Sequence, residues 1–198
     1  MADLEWPPFS RPDLHKAKAI VCAIIESSGG AFHGKTRLNK VFWWAHVKYQ
    51  RDFGIRLSQY PIARLPEGPC IDAADSLLME LAKDRAIDIQ VLPKGPYFEH
   101  TFQFNDGHVW ALSDDERSVI AEAVQWAGTK SATAISQESH RLSRAWQESS
   151  NGEIIDTSID CLSDDDLEDF GKKVDQLIQS VDARRPTVER IFGGQQSS

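Results

Sequence analysis

Residues 35–49, KTRLNKVFWWAHVKY, decide the fold. Leu38, Val41, Phe42, Ala45 and Tyr49 recur at three- and four-residue steps, which predicts a helix with one buried stripe. Asn39 and His46 stack on one flank of that stripe with Trp43 beside them, and Lys40, Trp44 and Lys48 fall on the far side. A core stripe accounts for the apolar positions. It does not account for the polar flank or for two adjacent tryptophans, which cannot both face one stripe. Asn39, Lys40, Trp43 and His46 are therefore read as lining a partner-binding groove, tryptophan being enriched at binding hot spots. The structural alternative is that these polar groups bond across helix junctions and fix the fold.

Working back towards the N terminus, Leu14, Ala17, Ile20, Val21, Ile24 and Ile25 predict a first helix over 13–28, ended by Ser28-Gly29-Gly30. The second helix runs from about Thr36 to Phe53, with Gly54 as its stop. Between them, Gly29 to Thr36 (GGAFHGKT) matches the phosphate-binding pattern G-x-x-x-x-G-K-[ST], with Gly29, Gly34, Lys35 and Thr36 at its key places. The chemistry needs a buried strand to feed that loop, so that backbone N–H groups and a helix N-terminus cradle phosphates. The helical stripe before Gly29 argues against it, as does the lack of alternating strands and helices elsewhere. The simpler reading is a glycine-rich connection between two helices.

Working forward, 57–63 suggests a short extended segment, and Pro66-Glu67-Gly68-Pro69 a rigid turn. A helix over 72–85 turns Leu77, Leu78, Leu81 and Ala82 inward. Alternation of Ile87, Ile89 and Val91, and then of Phe98, His100, Phe102 and Phe104, predicts a hairpin near 86–104. Asn105-Asp106-Gly107 should end its second strand in a turn. Ser113 and Glu116 form a capping box for a helix that ends at Gly128, and Ser131 starts another. Residues 153–162 suggest a weak last strand. Ser163, followed by three aspartates, should cap a final helix over 164–182 whose Leu167, Phe170, Val174, Leu177 and Val181 form a short seam. That seam is expected to dock on its own domain, with a homodimer contact as the sharper alternative. The fold class is α+β, predominantly helical, with five or six helices around a small antiparallel sheet. Residues 13–182 are expected as one domain, between a proline-rich N-terminal arm, 1–12, and a flexible tail, 183–198.

Hydrophobic content of 41% in 198 residues is enough for a sizeable core without staples. A net charge of -8 makes nucleic acid an unlikely partner. Cys22, Cys70 and Cys161 are odd in number and far apart, so neither a disulfide framework nor a zinc ribbon is expected. The start of the chain lacks a signal pattern, and the longest apolar run, 19–25, is too short to cross a bilayer. A cytoplasmic protein without a membrane partner is the expectation. The six histidines show no H-E-x-x-H spacing, and no nucleophile motif is present, so neither metal, cofactor nor catalysis is expected.

Three ordered blocks within 15–155 carry a resemblance. They are Leu38-Asn39-Lys40 with the aromatic run to Ala45-His46; Glu67-Gly68-Pro69 before a helix; and Leu112-Ser113-Asp114-Asp115-Glu116 with Ser131-Ala132, Ser139-His140 and Trp146. Together they resemble the SocA-like antitoxin family, the Panacea domain. Cys70 stands where valine is more usual in that family, and Ser139 where threonine is. The resemblance implies a protein that neutralises a cognate toxin by direct binding. Some members are associated with delivery of the toxin to a protease, which adds protease machinery to the expected partners. It also adds Gly68, Pro69, His140 and Trp146 to the partner-binding candidates. The alternatives are a small nucleotide-binding protein using the Gly29–Thr36 stretch, and a winged-helix-like regulator. The latter needs a basic recognition helix, and no helix read here is strongly basic.

Overall fold

A computed structural model of the chain describes residues 13–105, 111–162 and 172–180. The expectations for the arm, 1–12, for the segment 106–110, for Ser163 with its acidic turn and for the tail, 183–198, lie outside the described residues. The chain divides into two compact units, 1–161 and 162–198. In the second unit a helical stretch over 172–180 is described, which carries Val174 and Leu177 of the expected seam. Leu167, Phe170 and Val181 lie outside it.

Helix α1 (Leu14–Ser27) buries nine consecutive residues, Ala17 to Ile25. A single stripe was expected; a helix buried nearly all round is what an unbroken apolar run produces when neighbours cover it on several sides. Lys18 belongs to that run. Its stem is covered, while its Nζ reaches out to Asp84 Oδ2 at 2.6 Å. Helix α2 (Lys35–Phe53) follows the predicted stripe, with Leu38, Val41, Phe42 and Ala45 all enclosed. Gly54 ends it in the left-handed conformation at φ 72°, its N–H returning to Gln50 O. Helix α3 (Ala74–Lys83) turns Leu77, Leu78 and Leu81 inward, as read; Ala82 is half-buried. Helix α4 (Asp114–Ala127) opens on the expected reciprocal capping box of Ser113 and Glu116, and packs across both α1 and α2. Two shorter helices follow, α5 (Ala132–Leu142) and α6 (Arg144–Glu148). Ser131 Oγ accepts from Ala134 N–H, and Ser143 Oγ from Trp146 N–H.

The predicted hairpin is strands β4 (Ile87–Lys94) and β5 (Tyr97–Phe104), registered from Ile87↔Phe104 to Lys94↔Tyr97 around Gly95-Pro96. A third strand, β1 (Ala31–His33), pairs with the other edge of β5, giving the antiparallel order β1-β5-β4. These three residues read as connector because Gly30 and Gly34 flank them. Phe32 sets opposite Phe102, and both rings are buried. The glycine-rich segment is therefore a strand, held by a core pairing rather than by propensity.

Strands β2 (Ile62–Leu65) and β3 (Gly68–Ile71) form a separate hairpin with Pro66-Glu67 at its tip; Gly68 and Pro69, read as part of that turn, belong to β3. Pro69 is tolerated in β3 because its partner Arg64 already turns its N–H outward, to Glu153 O at 2.7 Å. The ladder needs no donor at that position. The last strand expected over 153–162 is a correction. Only an isolated bridge, Ala63↔Ile154, forms before the chain turns. Asp156 Oδ1 accepts from Ser158 N–H at 3.0 Å, a local bond that competes with extension, and Ile159–Cys161 is a 3-10 turn. The fold is α+β and helix-dominated, with α2 at its centre against α1, α4, α5 and β3.

Candidate functional site

The nucleotide reading fails on what precedes the loop. Helix α1, not a strand, leads into Gly29, and β1 occupies 31–33 within the motif. Gly34 sends its N–H to His100 O at 2.8 Å, and Lys35 Nζ is paired with Asp75. Gly29 and Gly30, both at φ 89°, let the chain reverse from α1 into β1; they do not form a phosphate cradle.

The expectation of an open groove on α2 is also corrected. Asn39, Lys40, Trp43 and His46 are all 6% exposed or less. Lys40, read as lying on the far side of α2, is the largest departure at 0%. It is covered because β3 and α5 pack on that side of α2. Each of the four side chains bonds across a junction between elements or back onto its own helix.

Six of the expected residues gather around the β2–β3 hairpin. Asn39 Nδ2 donates to Lys35 O, one turn back, and Asn39 Oδ1 accepts from Ile71 N–H; both bonds measure 3.0 Å. Lys40 Nζ donates to Pro69 O at 2.9 Å and lies 3.4 Å from Cys70 Sγ. Cys70 in turn donates from its thiol to Gly68 O. Burial holds the Lys40 ammonium below the usual lysine range, against the opposing pull of Cys70 and Glu67. Gly68 stands at φ +106°, where an added Cβ would come 2.6 Å from Ser139 Oγ and 2.9 Å from Lys40 Cε. No other residue type fits there without displacing its neighbours. Ser136 Oγ donates to Glu67 O, and Ser139 Oγ donates to Ser136 O.

His140 lies flat on Trp146, ring centroids 3.9 Å apart and planes 5° apart, and the Arg64 guanidinium covers Trp146 at 4.5 Å. Trp146 Nε1 donates to Leu65 O at 2.8 Å. Burial, and then the Lys40 charge, lower the His140 pKa. Its Nε2 is enclosed with no hydrogen-bond partner among the described residues. The two halves of the motif set, one from α2 and one from α5–α6, thus clasp one turn between them.

Trp43 and His46 face other partners. Trp43 Nε1 donates to Asp160 Oδ2 at 3.1 Å. The same carboxylate accepts from Ser143 Oγ at 2.8 Å and from Ala145 N–H at 2.9 Å. Burial still pushes the Asp160 pKa up in spite of these donors. Asp160 was missed in the sequence. The signal was indirect: a buried indole N–H needs an acceptor. His46 Nδ1–H donates to Phe42 O, and its Nε2 accepts from Ser58 Oγ, each at 2.8 Å. Complete burial brings its pKa down to about 4, so the ring is neutral. Trp44, the second of the adjacent pair, is half-buried and stacks on Trp126 at 5.1 Å. The two adjacent tryptophans thus do not share one stripe: Trp43 is enclosed and Trp44 lies against α4.

The exposed counterpart lies at the outer end of the β4–β5 hairpin. Residues paired across an antiparallel ladder share a face, so Ile87, Ile89, Val91 and Pro93 lie with Phe104, Phe102, His100 and Phe98. At the base of that face Ile87 and Phe102 are fully buried; at its end Val91 is 49% and Phe98 71% exposed. Leu92 and Tyr97 are exposed on the opposite face. Phe98 and His100, with Lys94, Tyr97 and Glu99 of the other face, form one wall of an open cleft of about 440 Å³, whose other wall is Gly34, Lys35 and Thr36 at the start of α2 and Ala132 at the start of α5. The alternation was legible in the sequence, but not where the core would stop covering it. No helix among the described residues is long and apolar enough to cross a membrane. In comparisons with known protein families, curated proteins and solved structures, nothing matches the chain.

Proposed function

We propose that the protein neutralises a cognate toxin by direct contact, the function implied by its resemblance to the SocA-like antitoxins. The observation that supports a binding role is the apolar face of the β4–β5 hairpin, which runs on past the protein's own core and walls an open cleft. Large apolar residues left at a rim in this way are the usual anchors of a protein contact. On this reading the contact surface is Val91, Phe98 and the cleft, which are exposed, and the enclosed Asn39, Lys40, Trp43 and His46 hold the scaffold. The acidic net charge of -8 favours a basic partner surface. Handing the toxin to a protease would follow from the same contact.

The test is co-expression with the protein encoded beside it. Growth rescue and co-purification are expected, and both should be lost in Phe98→Ser with Val91→Ser. A neighbour that is harmless alone, or one that stays toxic in the presence of this chain, would sink the reading. Rescue that survives the double variant would move the contact elsewhere.

A further inference from the structure

We propose that Lys40 and Cys70 form an oxidant-triggered S–N cross-link that joins helix α2 covalently to strand β3. This is a modification site independent of the toxin-binding reading. Lys40 Nζ lies 3.4 Å from Cys70 Sγ with both residues enclosed, at 0% and 5% exposure. Within van der Waals contact, an amine and a thiol are positioned for an intramolecular reaction. Two features favour these two groups over other pairs. The burial that lowers the Lys40 pKa raises the share of neutral, nucleophilic amine. Pro69 O holds Nζ at 2.9 Å and the Cys70 thiol donates to Gly68 O, so both reacting atoms are fixed.

The co-reactant is a hydroperoxide, hydrogen peroxide being the simplest. The thiol proton passes to Nζ, and the thiolate sulfur attacks one peroxide oxygen. The O–O bond breaks; the departing hydroxide takes the proton from Nζ and leaves as water. Sulfur is oxidised to the sulfenic acid and the peroxide is reduced. The neutral Nζ then attacks that sulfur. The S–O bond breaks, hydroxide leaves with one amine proton as a second water, and an S–N bond remains. The sum is one thiol, one amine and one peroxide giving one sulfenamide and two waters. A thiol reductant reverses it by attack on the sulfur.

Cys161 provides an internal contrast. Its thiol is pushed up to about 11 by burial, and it donates to the Val47 and Thr157 carbonyls rather than lying against an amine. It has little thiolate, and among the described residues no amine is bonded to it.

The test is peptide mapping of the full-length protein after hydrogen peroxide, with free thiols alkylated on denaturation. The expected product is a linked pair of peptides carrying Lys40 and Cys70, about 2 Da lighter than their sum and released by dithiothreitol. Recovery of Cys70 as the alkylated thiol, or as sulfinic acid with Lys40 unlinked, overturns the proposal. So does a pair heavier by one oxygen, which is an N–O–S bridge, or a disulfide from Cys70 to Cys22 or Cys161. In Lys40→Met the linked pair should vanish and Cys70 should climb to the sulfinic acid. If that variant does not fold, the map of the unaltered protein still decides.

Discussion

Along helix α2 four side chains that carry nitrogen, those of Asn39, Lys40, Trp43 and His46, are shut inside; at the end of the β4–β5 hairpin the large apolar side chains of Val91, Leu92, Tyr97 and Phe98 stand outside. The two regions reverse the usual sorting, and each reversal has its own physical meaning. On α2 the polar atoms are matched one by one: Asn39 to Ile71 and Lys35, Lys40 to Pro69, Trp43 to Asp160, His46 to Phe42 and Ser58. A buried polar group with partners fixes one arrangement of neighbouring elements and penalises the others. On the hairpin the apolar face simply outruns the core, and nothing in the chain's described residues covers it. Buried residues that specify the scaffold thus stand apart from exposed ones that the proposed contact would use. The contrast should break under substitution in opposite ways.

Trp43→Ala carries the largest expected effect. It empties a fully enclosed site and removes one donor from Asp160, at a cost of about 4 kcal/mol. Urea unfolding with an unchanged m-value measures it. A loss under about 1 kcal/mol would show that α2 is not the closed interior described here. Gly68→Ala should cost about 3 kcal/mol, since left-handed strain and a collision with Ser139 and Lys40 act together. Its effect should shrink when Ser139→Gly is added, because the nearest colliding atom is then gone.

The effect of acid on His46 is of similar size. The folded protein keeps this ring neutral down to about pH 4, while the unfolded chain protonates it near 6.5. Across that window the unfolded state binds the additional proton, so stability falls as the pH is lowered from about 6.5 to about 4. The loss attributable to His46 is about 3 kcal/mol. His46→Gln should flatten the slope in that window while losing stability at pH 7. An unchanged slope would mean that the ring titrates normally. The smallest stability effect belongs to the exposed end. Tyr97→Ser with Phe98→Ser should shift unfolding by no more than about 0.5 kcal/mol, yet abolish any partner contact made there. A large loss of stability in this pair would erase the distinction between scaffold and contact surface.

What could be read from the sequence divides along the same line. Local signals were legible. The stripe of Leu38, Val41, Phe42 and Ala45, the Ser113–Glu116 box, the Gly54 stop and the 87–104 alternation each depend on residues a few places apart. Features made by distant residues were not. The β1 strand exists because Phe32 meets Phe102, and the burial of Lys40 because β3 and α5 cover α2. The supposed strand at 153–162 gave way to a side-chain bond from Asp156 that periodicity cannot express. Six of the eight candidate residues meet at one turn. Their exposure was misjudged, because a helix wheel shows which way a lysine points but not what arrives to cover it.

The bond between Trp43 and Asp160 spans 117 residues. A chain leaving the ribosome presents helix α2 long before the acceptor for its indole has been made. Until then the Trp43 N–H, the Ser143 hydroxyl and the Ala145 amide lack the carboxylate they later share. A chain ended short of Asp160 keeps that deficit permanently, with three donors competing for water inside a core that excludes it. One aspartate near the end of the first unit thus ties the satisfaction of an early helix to translation past residue 160.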